Sequence, residues 1–241
     1  MSDNLQPRGS DDSTFAQPLY TPIKRRSFFM YAGATAGATA LVLAGCSKDS
    51  DNNTPTNNGI SLGSGDVGVL NYAYALEQLE AAFYAQIVKT PATDFKTGEL
   101  ALFTQIAAHE AIHRDFFKAA LTNVAKVTPL QDLTPNFSSV TFSSRASVLG
   151  TAKAFEDLGV AAYNGAGKLL KTPDFLVLAG KIVSVEARHA AFIRDLITPG
   201  SFSADDQVDA NGLDKAMTPA EVLAIAGQFI TQKLDASTVG K

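Results

Sequence analysis

Two segments of this chain repeat each other, and the repeat leaves few folds open. Residues 75–84, Ala-Leu-Glu-Gln-Leu-Glu-Ala-Ala-Phe-Tyr, align with residues 154–163, Ala-Phe-Glu-Asp-Leu-Gly-Val-Ala-Ala-Tyr. Each places a Glu, Glu77 or Glu156, seven residues before a Tyr, Tyr84 or Tyr163. Each is followed downstream by Glu-x-x-His: Glu110 and His113 after the first, Glu186 and His189 after the second. The offsets agree, since 110 − 77 is 33 and 186 − 156 is 30. The chain therefore reads twice as a helix with one Glu, a turn, and a helix with Glu-x-x-His. Side chains at i and i+3 share a helical face. Two such pairs and two single Glu make the donor pattern of a dinuclear carboxylate centre inside a four-helix bundle.

Apolar spacing supports four long helices. Val69, Leu70, Ala73, Leu76, Glu77, Glu80, Ala81 and Tyr84 recur at three and four residues, which predicts a helix from Asp66 to about Lys89, stopped by Pro91. A second helix is expected from near Thr97 to near Lys126, before Pro129, with Ile106, Glu110, His113 and Phe117 on one face. Residues 127–144, with Pro129 and Pro135, make a connection long enough to cross a bundle, so the second and third helices run parallel. The third helix is expected over Arg145–Lys171. A short turn at Thr172-Pro173-Asp174 leads to the fourth, over Asp174–Leu196, closed by Pro199-Gly200. Thr218-Pro219-Ala220-Glu221 combines a capping Thr, Pro at the first helical position and Glu at the third. It opens a short C-terminal helix to about Leu234. The expected fold class is all-α, a four-helix bundle with a long crossover between helices 2 and 3 plus that short helix.

A depth check follows from helical rise. Glu77 lies 12 residues before Lys89, and Glu110 lies 13 after Thr97; at 1.5 Å per residue both are roughly 18–20 Å from their shared turn. Glu156 is 15 residues before Lys171, and Glu186 is 12 after Asp174. Antiparallel pairing thus brings each single Glu level with its Glu-x-x-His. Composition sharpens the point. The chain has 3 His and, by count, seven Glu, and the repeat slots take two of the former and four of the latter. Carboxylates can bridge two cations and a neutral imidazole donates nitrogen to one, so Glu77, Glu110, His113, Glu156, Glu186 and His189 form a candidate six-residue ligand set.

The N-terminal part has a different character. Lys24-Arg25-Arg26 precedes an apolar, small-residue stretch from Phe28 to Gly45 that ends Leu-Ala-Gly-Cys46. This order of basic, apolar and small residues marks an export signal. Arg25-Arg26 followed by Ser-Phe-Phe resembles a twin-arginine signal, and Leu-Ala-Gly-Cys resembles a bacterial lipobox with Cys46 as the lipidated residue. The alternative is a transmembrane helix, for which the stretch is long enough. With one Cys in the chain, no internal disulfide can form. The expected organisation is residues 1–46 as signal peptide, 47–65 as flexible tether, 66–198 as the bundle, and 199–241 as a C-terminal loop and short helix. The expected location is the bacterial cell envelope, lipid-anchored to a membrane on the extracytoplasmic side, periplasmic or at the outer membrane. A net charge of −4 gives no basic surface for nucleic acid.

The paired motifs resemble the ferritin-like superfamily, especially exported ferritin-like domain proteins related to desiccation-associated proteins. The resemblance covers about residues 66–198. It implies that the six residues above hold two iron ions, or manganese in their place. Iron members typically oxidise Fe(II) with oxygen or peroxide, and manganese members include catalases. A homo-oligomer fits such a protein, but a storage cage is not implied. Three further positions stand beside the set. Glu80 is one turn from Glu77 and aligns with Gly159, so Glu77 is the better ligand and Glu80 an outer or additional one. Tyr84 and Tyr163 lie two turns from their Glu on the same face, as partners of ligands, electron donors or core residues. His109, beside Glu110, is a candidate hydrogen-bond partner of a ligand or a structural histidine.

Two rivals remain. His109-Glu110-Ala111-Ile112-His113 also matches H-E-x-x-H, the zinc metalloprotease helix. That chemistry needs a third ligand, and it leaves the second Glu-x-x-His and the repeat unexplained. The other rival is a metal-free structural or stress-protection module on the same bundle. Metal content separates the three: two iron or manganese per chain, one zinc, or none.

Overall fold

The computed structural model of the protein describes residues 59–241. The export-like segment, with Arg25-Arg26 and Cys46, and the tether as far as residue 58 lie outside the described residues. The described residues form an all-α bundle: α1 (Gly65–Lys89), α2 (Glu99–Ala119), α3 (Arg145–Gly167), α4 (Pro173–Ile197) and the short α5 (Pro219–Ala226). Among the described residues no helix is long and apolar enough to cross a membrane.

Pairing follows the repeat. α1 packs against α2, α3 against α4, and the two hairpins meet along α1 and α3. Helix ends depart from expectation where local chemistry intervenes. α2 begins at Glu99, because Gly98 is left-handed (φ 89). Its far end passes into a π-helical turn, Ala120–Val124, and Lys126, also left-handed (φ 57), closes it. α3 stops at Gly167 rather than Lys171. The backbone N–H groups of Lys171 and Thr172 donate to the Asp66 carboxylate, 2.8 and 2.9 Å away. The α3–α4 turn is thereby tied to the start of α1.

The crossover and the tail cover α1 and α3, which explains why these two helices are buried on most sides. Phe83 of α1 meets Phe137 and Phe142 of the crossover, ring centroids 5.7 and 5.8 Å apart, and Phe155 of α3 at 4.9 Å. Buried Asn71 donates to the Leu62 carbonyl and accepts from Leu130 N–H, joining the N-terminal segment to the crossover. Arg145, opening α3, forks onto Glu99 at the start of α2 (Nη2 to Oε1 2.7 Å) and also donates to the Leu196 carbonyl. One guanidinium thus ties three helix ends.

The C-terminal part is less simple than its sequence. α5 has the expected capping box at Thr218 and Glu221, but it ends at Ala226 in a 3₁₀ turn, Gly227–Phe229. The chain then straightens. Leu234–Asp235 (β2) pairs in parallel with Ile60–Ser61 (β1). Residues 59–65 therefore belong to the folded domain rather than to a tether reaching residue 65, and Leu62 is fully buried. The tail seats on α3 where Met217 N–H donates to the Ala161 carbonyl, 2.9 Å away. Gly165 permits this approach, since a Cβ there would lie 1.8 Å from the Met217 carbonyl oxygen.

Candidate metal centre

All six residues predicted from the repeat converge in the middle of the bundle. Glu77 comes from α1, Glu110 and His113 from α2, Glu156 from α3, and Glu186 and His189 from α4. The four Glu are completely buried and the two His nearly so. They form two adjoining donor groups: Glu77, Glu110, His113 and Glu186, and Glu110, Glu156, Glu186 and His189. Glu110 and Glu186 belong to both. Each group adds one imidazole and one carboxylate of its own. Donor atoms within each group lie within 4.8 Å of one another.

The geometry repeats as the sequence does. His113 Nδ1 is 2.7 Å from Glu186 Oε1, 3.3 Å from Glu110 Oε2 and 3.6 Å from Glu77 Oε2. His189 Nδ1 is 2.8 Å from Glu110 Oε1, 3.5 Å from Glu156 Oε2 and 3.7 Å from Glu186 Oε2. Each imidazole thus lies closest to the Glu of the opposite Glu-x-x-His helix.

Carboxylate oxygens and imidazole nitrogens crowd one another in this cluster. Glu77 Oε2, Glu110 Oε1, Glu156 Oε2, both oxygens of Glu186 and His189 Nδ1 are buried and lack a hydrogen-bond partner. Buried acceptors left in this way are costly. Carboxylate oxygens with one imidazole nitrogen per group suit iron, manganese or zinc, so the residues fit divalent cations.

Without a cation, protons carry the charge. Burial pushes Glu77 and Glu80 well above the usual carboxylate range, with Glu186 and Glu110 adding repulsion. Burial likewise raises Glu156 to about 8. Burial would lower His113 and His189, but the surrounding carboxylates lift both to about 12. Burial also acts upward on Glu110, yet the two imidazoles beside it hold it at about 2. The metal-free centre is therefore a cluster of imidazolium, carboxylate and neutral carboxyl groups.

The tyrosines cross between repeats. Tyr84 donates to Glu156 Oε1 and Tyr163 donates to Glu77 Oε1. The residue numbers of each pair add to 240, a constant-sum register that two antiparallel helices produce. The sequence placed each Tyr near the Glu of its own repeat; the partner lies in the other. Only a docked α1–α3 pair reveals this.

Two features break the symmetry. Glu80 is buried, and its Oε1 would lie 3.1 Å from a Cβ built at Gly159. The missing side chain at 159 makes room for a fifth carboxyl, and the Glu80–Gly159 mismatch in the alignment was its sequence signal. Glu80 stands outside both donor groups. His109, on the exposed side of α2, meets His189 edge to edge with rings 9° from parallel, and its Nδ1 lies 2.9 Å from His189 Nε2. With His189 Nδ1 turned to the carboxylates, its Nε2–H donates to His109, which fixes the ring as outer partners of metal-binding histidines do. Val185 occupies the corresponding place before Glu186. His109 belongs to neither donor group, so the H-E-x-x-H arrangement is not assembled around one ion.

Residues 65–199 match the model of a family described as the ferritin-like domain. No curated protein matches the chain.

Proposed function

Because the chain belongs to the ferritin-like domain family, we propose that it is a dinuclear iron protein that oxidises Fe(II) with dioxygen or peroxide, manganese being the alternative metal. The observation that carries this reading is the sharing of Glu110 and Glu186 between two donor groups whose buried oxygens lack partners. Glu110 and Glu186 would be shared by the two ions, while Glu77 with His113 and Glu156 with His189 would hold one ion each. Four carboxylates offset the charge of two divalent cations. When bound there, two Fe(II) ions would supply two electrons, enough with two protons to reduce dioxygen to hydrogen peroxide or hydrogen peroxide to two waters. Tyr84 and Tyr163 orient Glu156 and Glu77, and His109 orients His189. The burial of the whole set excludes bulk water.

The test is elemental analysis of the full-length chain, purified without added metal and again after anaerobic Fe(II). About two ions per chain are expected, with loss of the second in Glu110→Ala and Glu186→Ala while helical circular dichroism persists. Unchanged stoichiometry in both variants would defeat the assignment. One zinc would favour the hydrolase pattern, and no metal would leave a scaffold whose acids and imidazoles are structural.

We also propose that the chain is exported through Arg25-Arg26 and held at the bacterial envelope by a lipid on Cys46. The sequence motifs support this reading. Cys46→Ala is expected to move the protein from the membrane fraction to the soluble one; retention in the membrane would argue for a spanning segment.

A further inference from the structure

Each tyrosine of the centre has a phenylalanine 6.2 Å away between ring centroids, Phe103 beside Tyr84 and Phe117 beside Tyr163. Next to Tyr163 and Phe117 the packing also leaves a hollow. An apolar pocket lies among α1, α2, α3 and α4, with buried Leu76, Phe117 and Tyr163 on its inner wall and half-buried Leu170, Phe175 and Leu178 toward the surface. The inner wall reaches the ring whose hydroxyl donates to Glu77.

Size and polarity select the occupant. The space open to the centre of a water-sized sphere is about 20 Å³, and roughly 10–15 Å³ of such space suffices for one small molecule. A water would need two to four polar partners to stay, whereas the lining is carbon apart from two phenols. Tyr163 has its hydroxyl on Glu77, and the Tyr72 hydroxyl is buried without a partner. Hydrogen peroxide, a donor and acceptor at both ends, is as poorly served as water. A diatomic apolar gas fits both the volume and the walls.

We propose that this pocket is the docking site for dioxygen on its way to the metal centre, so that dioxygen rather than peroxide is the oxidant the fold is built to admit. The proposal rests on the oxidative reading above. Leu170, Phe175 and Leu178 form the mouth, Ala162 and Ala166 leave the passage open by their small size, and Tyr163 is the last residue before Glu77.

The test combines gas contact with kinetics on the full-length chain. In the metal-free protein under dioxygen pressure, methyl groups of Leu76, Ala162 and Ala166 should show several-fold greater paramagnetic relaxation than those of Val148 and Ile193. Xenon should compete. Ala166→Leu fills the interior and Leu178→Trp closes the half-buried mouth; the second replaces no fully buried residue, so it keeps the test alive if the first misfolds. Both should bring the relaxation down to the core level. Both should also slow dioxygen-driven Fe(II) oxidation about tenfold, with peroxide-driven oxidation and iron content unchanged. Ordinary core relaxation in the unsubstituted protein would overturn the docking site. Plugged variants that oxidise at full rate with dioxygen would overturn the delivery role. Gas contact without oxidation by either oxidant would instead overturn the oxidative reading, and the delivery role with it.

Discussion

Tyr84 and Tyr163 show what one side chain does in this centre. Each phenol supplies a proton donor to a completely buried carboxyl group. Removing either hydroxyl leaves a buried oxygen without its partner, a loss of about 1–3 kcal/mol. Tyr84→Phe and Tyr163→Phe are each expected to lower the stability of the metal-free protein by that amount in urea titrations, while two-ion stoichiometry survives. Glu80 and Gly159 give a sharper residue-scale test. Gly159→Ala forces the Glu80 carboxyl to shift, at about 1–3 kcal/mol for overpacking. In a Glu80→Ala background the same change should cost little, so a double-mutant cycle should show a coupling of at least about 1 kcal/mol. At this scale the convergence of the six residues was legible because the repeat marks them twice. The crossed tyrosines were not, because spacing within one helix cannot say which neighbour faces it.

At the scale of elements, periodicity located all four long helices and capping chemistry located α5. What it missed were places where one segment takes another's hydrogen bonds. Asp66 captures the N–H groups of Lys171 and Thr172, so α3 ends early. β2 exists only because Ile60 and Ser61 lie beside it, a pairing between distant parts of the chain. Gly165 is the hinge of this arrangement. Gly165→Ala would place a methyl group against the Met217 carbonyl, and neither α3 nor the tail can yield without losing packing. The expected result is a destabilisation of at least about 1–3 kcal/mol, with amide exchange protection lost first between residues 217 and 230. Uniform loss across the bundle would show that the tail is not a separate unit.

For the whole molecule, the buried acids set the pH response. Glu156, raised to about 8, and His113 and His189, raised to about 12, hold protons more tightly folded than unfolded. Their contribution is complete below the ordinary values of 4.5 and 6.5 and is lost as pH rises through the folded ones. Glu110, lowered to about 2, contributes above 4.5 and fails only as pH falls through 2. The metal-free protein should therefore be most stable near pH 5 and less stable at pH 7 and again at pH 9, as read from urea midpoints. Manganese(II), which must displace those protons to bind, should reverse the trend above pH 6 and release protons measurable in weak buffer. At a hundredfold excess over its dissociation constant it should add about 2.7 kcal/mol for each ion bound. A metal-free profile that is flat between pH 5 and 9 would contradict the assigned protonation.

The Glu80–Gly159 contact bears on how such a centre can be diversified. Two identical helical hairpins, docked as a dimer, would reproduce the six donors and both crossed tyrosines. They would also carry Glu at both positions or Gly at both. In one continuous chain the halves are free to differ. One half gives up a side chain and the other fills the vacated volume with an acid. Joining the hairpins thus gives each end of the centre its own address, and a mutation can change one end without being copied onto the other.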